Sequence, residues 1–208
     1  MHTAERATAV SAGRVVTAAD VKISDLDSNS LILRLHFTIN HLSRWLTPIH
    51  DQTKLVRSVR RGEPSIKELL LRLRDEELRV FPMIHLIATR NNPDLDKLPP
   101  FASSPAQAAR DEQANALEVM AEFRRLRQST CSALRSLSDS AWARVGTSRR
   151  EHDWQIRSLA EHLAHHDLNV LYEIDVTLDR IGAREGVSQA AKAHLDELLR
   201  LVPVTVKK

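Results

Sequence analysis

The segment Glu161–Val170, which reads EHLAHHDLNV, is the densest group of side chains that could do chemistry. His162 and His166 are four residues apart, a spacing at which two imidazoles on one helix can bind the same metal ion. Asp167 falls within the apolar stripe of this helix, where an unpaired carboxylate is costly. We therefore expect Asp167 to have a cationic or hydrogen-bonding partner. The two histidines either bind a metal or occupy the polar side of an ordinary helix.

A second acidic side chain points toward the core in the stretch RLRDEELR, residues 72–79. The apolar stripe of this helix passes through Glu77, whereas Glu76 leans toward solvent. Glu77 is either part of a metal or acid/base site, or it is the buried partner of an arginine such as Arg72 or Arg74. Together with the inward aspartate of the first cluster, it indicates a polar site between two helices.

Four long stripes of helical period must position these residues. Only five glycines and 4% aromatic residues favour helices over a sandwich or a barrel. The proline-rich stretch NNPDLDKLPPFASSP predicts a long crossover between the second and third helices. The chain is therefore predicted to be all-α, a four-helix bundle with a long crossover connection and a short C-terminal helix. The predicted helices cover residues 30–46, 65–90, 105–137, 155–181 and, for the short one, 188–201.

The ends of the chain differ in pattern from its centre. Residues 1–27 are polar, rich in alanine and without an apolar stripe, so they predict a flexible N-terminal arm. Residues 28–183 contain the four stripes and predict the bundle itself. Residues 184–208 predict the C-terminal helix and a tail.

Charge and composition exclude several classes of function. Lys and Arg number 30 against 27 Asp and Glu, a formal net charge of +3, and the arginines alternate with acids, which argues against a nucleic-acid partner. The lone cysteine, Cys131, cannot form an intramolecular disulfide and fits a reducing compartment. The sequence has no signal-type apolar segment and no window of about 18 apolar residues. We therefore predict a cytoplasmic protein with no membrane partner.

Two stretches of this chain carry a resemblance to a known family. GEPSIKELLLRLRDEELRVFPMI has Ser65 at the start of a helix and Glu77 at the acidic position that follows. DWQIRSLAEHLAHHDLNVLYEI contains the pair His166 and Asp167. In order and separation, these stretches resemble the second and closing helices of the DinB-like (YfiT-like) four-helix-bundle family. The resemblance covers about residues 30–181.

The resemblance implies a divalent metal held by one histidine of the second helix and two histidines, four residues apart, on the last. Here Arg72 occupies the second-helix position, and of the closing pair His166 is present while Val170 occupies the other position. Neither arginine nor valine offers a lone pair to a metal. We therefore predict no tightly bound metal. If zinc or nickel does bind, His162, His166 and Glu76 are the residues that would hold it.

The predicted site is a polar pocket between the second and fourth helices, with His166, Arg72, Glu77 and Asp167 as the candidate catalytic residues. His166 is the candidate base, and Arg72 the clamp for a ligand anion, paired with Glu76 or Asp167. The resemblance implies a small-molecule ligand, a transferase or hydrolase related to metal- or thiol-dependent members, and a homodimer. The alternative is a non-catalytic bundle that lost the metal site and binds a ligand or a protein partner.

Overall fold

The structure, a computed structural model, describes residues 15–207. Short 3₁₀ turns and one two-residue antiparallel strand pair, β1 (Val145–Gly146) with β2 (Trp154–Gln155), accompany the helices in this part of the chain. None of the helices within residues 15–207 combines the length and apolarity that a membrane span requires. The helices are α1 (Ser28–Leu46), α2 (Thr53–Val56), α3 (Ile66–Thr89), α4 (Pro105–Gln113), α5 (Ala116–Arg135), α6 (Ile156–Arg180), α7 (Gln189–Lys192) and α8 (Leu195–Arg200).

The four long helices form a bundle in which α1 packs against α5 and α6, and α3 packs against the same two helices. The helices α1 and α3 therefore lie diagonally opposite each other. The helices α3 and α5 are parallel, because their starts pack in one apolar cluster and their ends in the other, so the connection between them returns along the length of the bundle. This arrangement confirms the predicted all-α four-helix bundle with a long crossover.

Capping residues fix where the helices begin. The Ser65 hydroxyl accepts a hydrogen bond from the backbone of Glu68, whose carboxylate accepts from the backbone of Ser65, and this capping box starts α3 as predicted. A second capping box, formed by Asn115 and Glu118, starts α5. The predicted continuous helix over residues 105–137 is therefore wrong, because the box at Asn115 divides it into α4 and α5.

The C-terminal helix is also divided. The sequence predicted one helix over residues 188–201, but the chain leaves helical geometry at Ala193 and begins again after His194. The carboxylate of Asp175 on α6 accepts a hydrogen bond from the backbone N–H of Leu195 at 2.9 Å, so α6 satisfies one of the free donors at the start of α8.

The N-terminal segment is attached to the C-terminal tail. Backbone hydrogen bonds join Ala18 to Val202, Val204 to Val16 and Asp27 to Thr205, at 2.9–3.1 Å. Ile23 and Leu26 of the same segment are buried. The sequence predicted a flexible arm over residues 1–27. Residues 15–27 are instead docked, and residues 1–14 lie outside the described part of the chain.

The core consists of two apolar clusters, one at each end of the bundle. On α3, α5 and α6 the clusters occupy successive parts of each helix, and between the clusters each helix contributes one buried charged residue to a shared hydrogen-bonded group. These residues, Glu77, Arg127 and Asp167, are at most 1% exposed. We call them the polar layer.

Candidate functional site

Arg127 connects the other two residues of the polar layer, Glu77 and Asp167. Its Nε donates to Glu77 Oε2 at 2.8 Å, and its Nη2 donates to Asp167 Oδ1 at 2.9 Å. Its Nη1 donates to the other oxygen of Asp167 and to the carbonyl of Leu35 on α1. Thr38, also on α1, donates to Asp167 at 2.7 Å. The layer therefore connects all four long helices through buried, charge-assisted hydrogen bonds.

The two carboxylates of the layer keep Arg127 charged although it is buried. Burial alone would lower the pKa of Arg127, but the carboxylates of Asp167 and Glu77 raise it above its ordinary value. Asp167 and Glu77 point inward as predicted, and their partner is an arginine. That arginine is Arg127 on α5, which was not among the residues predicted for the site, and not Arg72 or Arg74. It occupies the inward stripe of α5, four residues after Phe123.

Arg72 lies outside the layer. Its side chain is half exposed and forms an ion pair at 3.0 Å with Glu173 of α6. The predicted pairing of Arg72 with Glu76 or Asp167 is therefore wrong. The buried arginine of that stretch is Arg74, whose guanidinium binds the carboxylate of Asp111 and so fastens α4 to α3.

A second group, which we call the Arg79 cluster, consists of Glu76, Arg79 and His162 and lies between α3 and α6. Glu76 Oε1 is 2.6 Å from both Arg79 Nη2 and His162 Nε2, and these two nitrogens are 3.2 Å apart. Because an ionised carboxylate can only accept hydrogen bonds, the contact with Glu76 requires that Nε2 of His162 carries a proton, and Arg79 Nη2, itself a donor, is then not hydrogen-bonded to Nε2. Burial alone would raise the pKa of Glu76, but the hydrogen bonds from His162 and Arg79 lower it to about 2.

The arrangement does not fit a divalent metal. No three His, Cys, Asp or Glu side chains of the described residues are grouped so that they could hold an ion. The carboxylate of Glu76 is taken by Arg79, whose guanidinium would repel a dication beside His162. His166 contributes a partly buried imidazole whose Nδ1 has no hydrogen-bond partner within residues 15–207, and burial lowers its pKa. The three residues predicted to hold a metal, His162, His166 and Glu76, thus lie near one another. Glu76 and His162, however, are arranged around the guanidinium of Arg79.

A cavity of about 630 Å³ adjoins the Arg79 cluster. Its walls come from α3, from the crossover at residues 95–102 and from the segment 148–154 before α6. Trp154 connects it to the cluster, because its ring meets that of His162 edge to face at 5.6 Å between centroids. Ten of the fifteen lining residues are apolar: Leu78, Pro82, Met83, Leu95, Leu98, Pro99, Pro100, Phe101, Ala102 and Trp154. The other five are Arg79, Asp96, Ser148, Arg150 and Glu151.

Hydrogen bonds between the two loops hold the cavity walls in place. The backbone N–H of Leu95 donates to the carbonyl of Thr147 at 2.8 Å, and the hydroxyl of Ser148 donates to Asp96 at 2.7 Å. Gly146 allows this approach, because a Cβ there would lie 2.8 Å from side-chain atoms of Ile87 and Leu95. The proline-rich sequence predicts the crossover but not its cavity.

Comparisons with known proteins agree with this fold. A family model described as DinB superfamily matches residues 34–169. The structure resembles that of YfiT from Bacillus subtilis, described as a probable metal-dependent hydrolase with an unusual four-helix bundle topology, at 17% identity and a TM-score of 0.57 over 77% of this chain and 89% of that one. It also resembles a mycothiol-dependent maleylpyruvate isomerase, at 15% identity and a TM-score of 0.53 over 82% of this chain and 68% of that one. No curated protein matches the sequence significantly.

Proposed function

The chain belongs to the DinB superfamily, and from that premise we propose that it is a small-molecule-binding protein whose ligand occupies the cavity between α3, the crossover and the segment before α6. The observation that carries this proposal is the cavity itself. Its volume of about 630 Å³ lies in the range of ordinary ligand sites. Its wall is mostly apolar with a few polar side chains, which is the usual composition of such sites.

The metal- or thiol-dependent chemistry named in the descriptions of the structural neighbours is the second candidate. It requires a group that activates water, a thiol or the substrate. In this chain the side chains nearest to the cavity that could do so are those of the Arg79 cluster, where Glu76 is already bound by Arg79 and His162. This organisation favours ligand binding without a metal over metal-assisted chemistry.

Fluorescence of the uncharged dye N-phenylnaphthylamine tests the cavity. We expect the dye to bind one site per chain. Ala102→Trp, which places a large side chain in the lining, should weaken binding by at least about tenfold by filling the space. Ala108→Trp is the matched control, because Ala108 is exposed on α4 and outside the lining. Equal dye binding by both variants, or no binding by the unmodified chain, would contradict the proposed function.

Elemental analysis of tag-free protein tests the metal. We expect zinc and nickel well below one equivalent per chain, because the charge of Arg79 opposes a dication beside His162 and Glu76, two of the residues predicted to hold it. Stoichiometric metal that withstands mild chelation, is lost in His166→Ala and is retained in His165→Ala would contradict this expectation. His165 is a suitable control since it is exposed on the same helix.

A further inference from the structure

The other polar side chains that line the cavity already form hydrogen bonds within the described part of the protein, but the guanidinium of Arg150 does not. We propose that the ligand carries an anionic group, a carboxylate or a sulfonate, attached to a flat apolar ring system, and that Arg150 binds this group. The inference rests on the proposed function and names the class of ligand for the same cavity.

The two acidic residues of the lining, Asp96 and Glu151, already accept hydrogen bonds from the protein. Asp96 accepts hydrogen bonds from the hydroxyl of Ser148 at 2.7 Å and from the backbone of Arg149 at 2.9 Å, and these bonds lower its pKa. Glu151 accepts from the indole N–H of Trp154 at 3.0 Å. Each carboxylate therefore already has hydrogen-bond donors within the protein, and that of Glu151 also lies 3.8 Å from Arg79 Nη1.

The two arginines of the lining differ from each other. Arg79 is neutralised by Glu76, with two hydrogen bonds from its Nε and one from its Nη2. Arg150 is exposed, and its guanidinium forms no hydrogen bond and no ion pair within 4.0 Å with any described residue, although the charge of Asp96 attracts it from farther away. A planar guanidinium with free donors binds a carboxylate or sulfonate through paired hydrogen bonds.

The apolar lining of the cavity suits a flat apolar body. Two aromatic rings line it, Trp154, which is almost buried, and Phe101, which is 40% exposed. Pro99 and Pro100 add a stiff apolar wall. A ring system between these side chains would bury the exposed face of Phe101, while its anionic group remains near the rim with Arg150.

Matched probes test the charge. We expect anilinonaphthalenesulfonate to bind the full chain, and naphthoate to displace it at about a tenfold lower concentration than naphthamide, which has the same rings without the charge. Arg150→Gln should weaken both anions by about tenfold and leave the uncharged N-phenylnaphthylamine within twofold. Arg149→Gln is the control, because Arg149 is exposed beside the cavity but not part of its lining.

The outcomes separate this inference from the proposed function. If the uncharged dye still bound but naphthoate and naphthamide were equally effective, the anionic ligand would be overturned while the cavity remained a binding site. The same would follow if Arg150→Gln were indistinguishable from Arg149→Gln. If the unmodified chain did not bind the uncharged dye, both the anionic ligand and the proposed function would be overturned. An effect of added salt on anilinonaphthalenesulfonate but not on the uncharged dye would support the anionic contact.

Discussion

Replacing Arg127 by alanine is expected to destabilise the protein by about 3–5 kcal/mol, the cost of breaking a buried ion pair on one side only. The substitution leaves the carboxylates of Glu77 and Asp167 buried without their cation, and only Thr38 continues to donate to one of them. It also opens a space between the two apolar clusters. Urea unfolding followed by circular dichroism would measure the loss.

Two further variants make this result specific. Arg72→Ala breaks the half-exposed ion pair with Glu173 and should cost less than about 1 kcal/mol. Combining Arg127→Met with Glu77→Leu and Asp167→Leu removes all three charges and should recover most of the stability, since apolar groups of similar size can replace a buried ion network. Stability of Arg127→Ala within 1 kcal/mol of the unmodified protein would contradict the importance of the layer.

Removing residues 1–26 is expected to lower the free energy of unfolding by about 3–6 kcal/mol. The deletion removes Ile23 and Leu26, which are buried, and burial of such a side chain contributes about 1.5–3 kcal/mol. It also leaves the backbone of Val202 and Val204 without the partners that Ala18 and Val16 provide. Thermal unfolding of the shortened chain would show the loss as a lower midpoint.

The control is a chain that begins at Val15. It retains every contact described for the docked segment, so the loss caused by removing residues 15–26 is measured relative to this chain. If the chain beginning at Asp27 were as stable as this control, the docked segment would contribute nothing, and the flexible arm expected from the sequence would describe residues 15–27 after all.

Helical periodicity predicted those features that repeat along a helix. The stripes of α3 and α6 placed Glu77 and Asp167 inside, and the structure buries both. The same rule applied to α5 would have placed Arg127 inside, because it follows Phe123 by four residues and precedes Thr130 by three. It was missed because an arginine on a helix rich in arginine is ordinarily a surface residue.

Periodicity could not predict contacts made by segments that lack it. The docking of residues 15–27 on the C-terminal tail depends on single backbone pairs such as Thr17 with Pro203, which leave no repeating pattern in the sequence. The cavity likewise depends on how the crossover meets the segment before α6, through Leu95 and Thr147. Such distant pairings are set by the tertiary fold.

The polar layer also determines the register of the helices. Leucines that pack along α3, α5 and α6 are interchangeable from one turn to the next, so apolar packing alone would permit a helix to slide by one turn, about 5.4 Å. Such a slide would carry Arg127 out of reach of both its carboxylates. Leu78 and Arg79 follow Glu77 directly on α3, and both line the cavity. The buried charges therefore also fix the position, relative to α6, of the α3 residues that line the ligand site.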